Sequence, residues 1–186
     1  RLQRGVQALE RVARVVQGYE LDPVAVIDLN QLRQDWFDHI LKGAPRPEIL
    51  KDRVNYQVMG ANVWRHAPTL DAMASVRRRL FISSTKAEGD TLRLVDAPTK
   101  RPEITQTVDF ASRTDADYVA ASLSLTPTLD THNGIAYVTA PVTEPTEIGG
   151  VFSVQLDFVV NKRDFDATVT LYEKTPKGEY LLLASH

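Results

Sequence analysis

The sequence predicts a mostly β fold, a jelly-roll-like β-sandwich preceded by an N-terminal helical segment, and three observations carry that expectation. The hydrophobic period is helical before Pro45 and switches to two after Pro47. Short strand-like runs then recur at roughly ten-residue spacing, punctuated by Pro and Gly. No internal repeat is visible, which argues against a propeller or a solenoid.

The first element spans Leu2, Val6, Leu9, Val12 and Val16, which fall on one helical face. Gly5 weakens its start and Gly18 ends it, and Val12, Val15 and Val16 would also suit a strand. The second element is a helix over Leu29–Lys42. Asp28 is its N-cap, with Gln31 three residues on, and Leu29, Leu32, Trp36, Ile40 and Leu41 form its apolar stripe. Gly43 supplies a left-handed C-terminal position, and Pro45 and Pro47 forbid continuation. The stretch Ala44–Pro47 therefore divides the chain into a helical part, 1–44, and a β part, 45–186.

In the β part, Val54, Tyr56 and Val58 alternate with Asn55, Gln57 and Met59. Gly60 and Ala61 lead on to Trp64, and one helical turn is expected near Leu70–Met73. Arg78–Ser83, Thr91–Val95, Ile104–Phe110 and Ile135–Thr139 read as strands, and Arg113–Asn133 as mostly loop. The most regular alternation is Val151–Val160, with Phe152, Val154, Leu156, Phe158 and Val160 on one face and Ser153, Gln155 and Asp157 on the other. Asp166–Tyr172 repeats it, and a turn at Lys174–Gly178 joins that run to Tyr180–Leu183 as a hairpin.

Composition narrows the functional classes. With 186 residues, 43% of them hydrophobic and 25% charged, the chain is long enough to bury a core without disulfides or a structural metal. Charges interrupt every apolar run, so no membrane span is expected. A net charge of −2 and one compact basic run, Arg77–Arg79, give no footprint for nucleic acid. The absence of cysteine excludes thiol catalysis, iron–sulfur clusters and cysteine zinc sites, and no cofactor is expected. Residue 1 is Arg and no signal-peptide pattern follows it, so the chain reads as a soluble piece of something longer, of undetermined compartment.

Enzyme signatures are missing too: no G-x-S-x-G elbow, phosphate loop, H-E-x-x-H or dinucleotide fingerprint is present. His39, one position off the helical stripe, is better read as structural than as a general base. His132 sits in the turn-forming run Asp130–Gly134. Asp157, Asp164 and Asp166 are oxygen-rich, yet no Gly and Glu complete a calcium loop. Ser83 and Ser84 have no neighbouring Gly to make a strained nucleophile turn. The two substrate-facing candidates are Trp64 and His66, a Trp-Arg-His cluster placed in a loop after a strand, with a core-capping Trp as the plainer reading.

Three stretches together resemble a known arrangement. GYELDPVA at Gly18–Ala25 and WFDHILKG at Trp36–Gly43 resemble the end of the catalytic domain in the cocaine esterase and X-prolyl dipeptidyl-peptidase family of α/β-hydrolases. VNYQVMGANVW at Val54–Trp64 is similar to the strand entering that family's C-terminal sandwich. Tyr137–Phe158 and Asp164–Tyr180 are similar to its middle strands and a hairpin, whereas Thr69–Leu129 matches thinly. The resemblance implies a jelly roll packed against an α/β-hydrolase domain that cleaves ester or amide bonds, X-prolyl dipeptides and acyl groups among them. It carries over no catalytic residue, since the family's Ser, acid and His precede the helix, so the chain alone is expected to be inactive. Val142 departs from the Leu that commonly follows Pro, and further strands usually follow the position of His186, so the sandwich is expected to be truncated, with an edge open to association. The implied partners are that catalytic domain and, through the helix's apolar face, a second copy of the chain. A free-standing carbohydrate- or protein-binding sandwich is the alternative.

Overall fold

The computed structural model describes residues 15–16, 18–100, 103–109, 111, 124–129 and 131–186. Among the described residues the fold is mostly β, with one α-helix and strands that fall into several small sheets. The chain divides into two units, Arg1–Ser75 with Glu147–Ala167, and Val76–Thr146 with Thr168–His186.

The first unit opens with a small antiparallel hairpin, β1 (Val15–Val16) paired with β2 (Tyr19–Glu20). This corrects the helical reading of Val16: the Val pair suits extended backbone, and Gly18, at φ 85°, belongs to a tight connection. Leu2, Val6, Leu9 and Val12 lie outside the described residues. A short 3-10 turn, Pro23–Ala25, then leads to α1, Leu29–Lys42.

Helix α1 has the predicted bounds because both of its stops are local. Asp28 Oδ1 accepts from the Asn30 and Gln31 amides at 2.9 and 3.1 Å. The Gln31 side chain does not close a reciprocal capping box but turns forward to donate to Asp35 Oδ1 at 2.7 Å. At the other end Gly43 is left-handed, at φ 71°, and the Ala44 amide donates to the Asp38 carbonyl at 3.2 Å. His39 Nδ1 lies 2.8 Å from the Ala44 carbonyl, an acceptor, so this nitrogen carries the proton and the ring ties off the helix end. The predicted structural role of His39 is the one found. No helix side chain is fully buried, and Leu29, Ile40 and Leu41 are exposed.

Strands β3 (Val54–Val58) and β4 (Val63–Ala67) form an antiparallel hairpin, with Asn55 opposite His66 and Gln57 opposite Trp64. His66 is thereby in a strand, which corrects its placement in a loop: pairing with β3 continues through Ala67. The expected helical turn follows as a 3-10 turn, Asp71–Met73.

In the second unit, β5 (Phe81–Lys86) pairs antiparallel with β6 (Leu92–Val95). The remaining strands are β7 (Leu125–Thr126), β8 (Tyr137–Val138), β9 (Thr170–Lys174) and β10 (Tyr180–Ser185). Strand β6 also pairs in parallel with β8, and the other sheet has the order β7-β10-β9. The expected hairpin between β9 and β10 is closed by the Thr175 amide donating to the Glu179 carbonyl at 2.8 Å, with Gly178 at φ 84°.

Two predicted strands are not formed among the described residues. Val151–Val160, and Ile104–Phe110 as far as residue 109, carry the alternation but have no ladder partner among the described residues, Phe110 lies outside them, and every residue of Val151–Val160 is exposed. Alternation sets which face of a strand would be apolar; only pairing of the amides and carbonyls makes it a strand. The core among the described residues is also smaller than composition predicts. Among the described residues, Ala67 and Leu181 are the buried apolar side chains. Two- and three-stranded sheets give each face little to pack on, so most apolar residues stay half-covered or exposed.

Candidate functional site

Side chains directly opposite one another in an antiparallel pair share a face. In the β3–β4 hairpin one face therefore carries Asn55 and Gln57 beside His66 and Trp64, and both substrate-facing candidates lie on it, two residues apart on β4. Alternation predicts this as the polar face of β3, and the structure furnishes it with hydrogen bonds to two neighbouring segments.

At the Trp64 end, the indole Nε1 donates to the Val24 carbonyl at 2.8 Å, and the Val24 amide donates to Asn62 Oδ1 at 3.1 Å. Asp22 Oδ2 accepts from the Gln57 side-chain amide at 2.5 Å and from the Gly60 backbone amide at 2.7 Å. At the His66 end, Nδ1 lies 2.8 Å from Asn55 Oδ1. The same Oδ1 accepts from the Asp52 amide at 2.9 Å, while Asn55 Nδ2 donates to the Asp52 carbonyl at 2.8 Å. That arrangement fixes the Asn55 amide's orientation, so His66 Nδ1 is the donor and its Nε2 is the nitrogen left to act as an acceptor when the ring is neutral. Arg46 donates to the Asp52 carbonyl at 3.0 Å, and its guanidinium lies 5.6 Å from the centre of the Trp36 ring. Beside it, Arg46, Pro47, Glu48 and Lys51 line an open depression bearing charges of both signs.

On the opposite face, Arg65 makes a two-pronged ion pair with Glu147 at 3.0 and 2.8 Å, both residues belonging to the first unit.

The other groups considered in the sequence lie apart from this face. Ser83, in the second unit, is 1% exposed; its hydroxyl donates to the Arg93 carbonyl at 2.9 Å and accepts from the Thr85 amide at 3.3 Å. It sits where the β5–β6 register slips, which gives the hydroxyl a structural task and no access to a substrate. His132 is exposed in a turn closed by the Gly134 amide on the Thr131 carbonyl at 3.1 Å, as its neighbours predict. Asp157, Asp164 and Asp166 are exposed, and among the described residues no three His, Asp or Glu side chains group as metal ligands would. No helix among the described residues is long and apolar enough to cross a membrane.

Sequence reasoning missed Asp22, Asp52 and Asn62. The signal for two of them is local: Asp22-Pro23 is a turn initiator, and Asn62 tolerates the left-handed backbone it adopts at φ 54°. What Asp22 and Asn62 bond to is 35 to 38 residues away and has no local signature.

Fold and site together define, among the described residues, a mostly β chain with a helix ahead of the β3–β4 hairpin, in which polar side chains of the hairpin face hold the chain's own backbone. Comparison with protein families supplies the particular kind: residues 50–185 match the X-Pro dipeptidyl-peptidase C-terminal non-catalytic domain. The chain belongs to that family, as its sequence resemblance implies. The match takes in the β3–β4 hairpin with Trp64 and His66, and helix α1 precedes it. No curated protein and no solved structure matches the chain. A non-catalytic C-terminal domain implies a catalytic domain in the parent chain.

Proposed function

We propose that this chain is the accessory portion of a serine hydrolase of the α/β-hydrolase and cocaine esterase kind, and that it shapes the cleft in which an X-prolyl dipeptide or acyl substrate is held. The single observation carrying this reading is the family match, which starts at residue 50, a short connection beyond a helix, Leu29–Lys42, whose apolar side is exposed. In this reading residues 1–44 are the tail of the catalytic domain and 45–186 the sandwich. Leu29, Ile40 and Leu41 pack on the catalytic domain, because exposed apolar area of that kind is stabilised when covered.

Trp64 and His66 are the substrate-facing candidates. The catalytic domain supplies nucleophile, base and oxyanion donors; a rigid β wall excludes water and restricts substrate shape without touching the reacting atoms. The test is kinetic and uses the full parent enzyme with an X-prolyl anilide. His66→Ala is expected to raise KM about tenfold with kcat little changed, the signature of lost substrate binding. Unchanged KM and kcat in both His66→Ala and Trp64→Phe would remove these residues from the cleft. Turnover of the same substrate by the 186-residue chain alone, abolished by one substitution within it, would overturn the accessory reading.

A further inference from the structure

We propose that Asp22 is the positioning residue of a hydrogen-bonded clasp that fixes the direction in which the chain enters helix α1. The inference does not depend on what the parent enzyme acts on.

The geometry has three parts. Asp22 carries a carboxylate at the mouth of the β3–β4 connection, where a single oxygen takes one side-chain donor from Gln57 and one backbone donor from Gly60. Gly60 is left-handed, at φ 77°, a conformation that a side chain would strain. Next along the chain, Pro23 opens a three-residue 3-10 turn whose own bonds, from the Ala25 amide to the Asp22 carbonyl and from the Val26 amide to the Pro23 carbonyl, leave out both backbone groups of Val24. Both backbone groups of Val24 are met instead by the hairpin, the amide by Asn62 and the carbonyl by Trp64. Asn62 is, among the described residues, the non-glycine residue with positive φ; Asn bears that backbone more easily than most residues, and its short side chain delivers the acceptor to Val24.

Four hydrogen bonds thus close on a three-residue stretch, and Asp28, which caps the helix, follows four residues after Val24. Beyond the helix, Arg46 bonds to Asp52, and Asp52 is held by Asn55, so the chain returns to the same hairpin at both ends of α1. No side chain of α1 is fully buried, so directional polar bonds, rather than apolar packing among the described residues, set where the helix starts and points.

Residue-resolved amide exchange on the 186-residue chain tests this. In Asp22→Ala, exchange at Gly60 and Val24 is expected to rise about tenfold, while the β3–β4 ladder amides and the interior amides of α1 keep their rates. Asp22→Asn retains an acceptor at the same place and is expected to restore most of the protection. A uniform rise across hairpin and helix would make Asp22 a general stabilising residue and overturn the clasp, as would unchanged exchange at Gly60 or failure of Asn to rescue. Should Asp22→Ala not fold, Asn62→Gly keeps the left-handed backbone and removes one acceptor. Exchange is then expected to rise at Val24 and not at Gly60, and an unchanged Val24 rate overturns the proposal.

Discussion

Replacing Asp28 with alanine tests whether α1 is stabilised at its ends. The substitution removes the acceptor for both the Asn30 and Gln31 amides, and it deletes the carboxylate nearest the helix N-terminus, where the first turn has no acidic residue to take its place. Loss of an N-cap costs about 1 kcal/mol, and loss of a charge favourable to the helix dipole adds about 0.3–1 kcal/mol. A total of about 1–2 kcal/mol corresponds to a factor of about 5–30 in the local helix–coil equilibrium. Because no α1 side chain is buried, that factor is expected to appear as fraying of the first turn rather than as a shift in global unfolding. Amide exchange at Asn30 and Gln31, with far-ultraviolet circular dichroism for helix content, reads it directly. Asp28→Asn separates the two contributions, since it keeps an acceptor and loses the charge. Unchanged exchange at Asn30 and Gln31 in Asp28→Ala would refute the reasoning, and an equal rise at every helix amide would show that α1 melts as one block.

Two further outcomes are expected. Without a catalytic domain, the apolar side of α1, with Leu41 76% exposed, is expected to pair with a second copy; gel filtration of the 186-residue chain should show a dimer that Leu41→Glu converts to monomer, and an unsubstituted 186-residue chain that elutes as a monomer at high concentration would refute this. In alkali, burial pushes the Tyr137 phenol above its ordinary 10.0, and the hydrogen bond from Lys174 to Glu88 raises the Lys174 ammonium above 10.5. Both are raised in the folded state, so their contribution to stability is complete below the unfolded values and is lost as pH climbs through the folded ones. Near-ultraviolet titration should show a late tyrosine ionisation that Tyr137→Phe removes; a single step at the ordinary value would refute it.

The parts of this fold legible in the sequence are those whose causes are local. Helix α1 is bounded by Asp28 and Gly43, each acting within six residues, and its observed limits are the expected ones. The β9–β10 hairpin follows from its turn residues, and β3 from alternation beside a glycine-containing connection. The family resemblance was legible for the same reason, resting on contiguous motifs, and the match over residues 50–185 bears it out.

Tertiary structure decided the rest. Val151–Val160 has the most regular alternation in the chain, yet side-chain pattern does not supply a ladder partner, and without one among the described residues it is exposed chain outside any sheet. Ser83 and Ser84 read alike in sequence, but the slipped β5–β6 register buries the first and exposes the second. Asp22 looks like an ordinary turn residue until a glutamine and a glycine amide, 35 and 38 residues away respectively, meet its carboxylate. The sequence by itself determined the β class, the helix with its caps and the family; which polar groups meet, and which alternating runs become strands, was decided by contacts between segments far apart in the chain, because a hydrogen bond needs its partner in place.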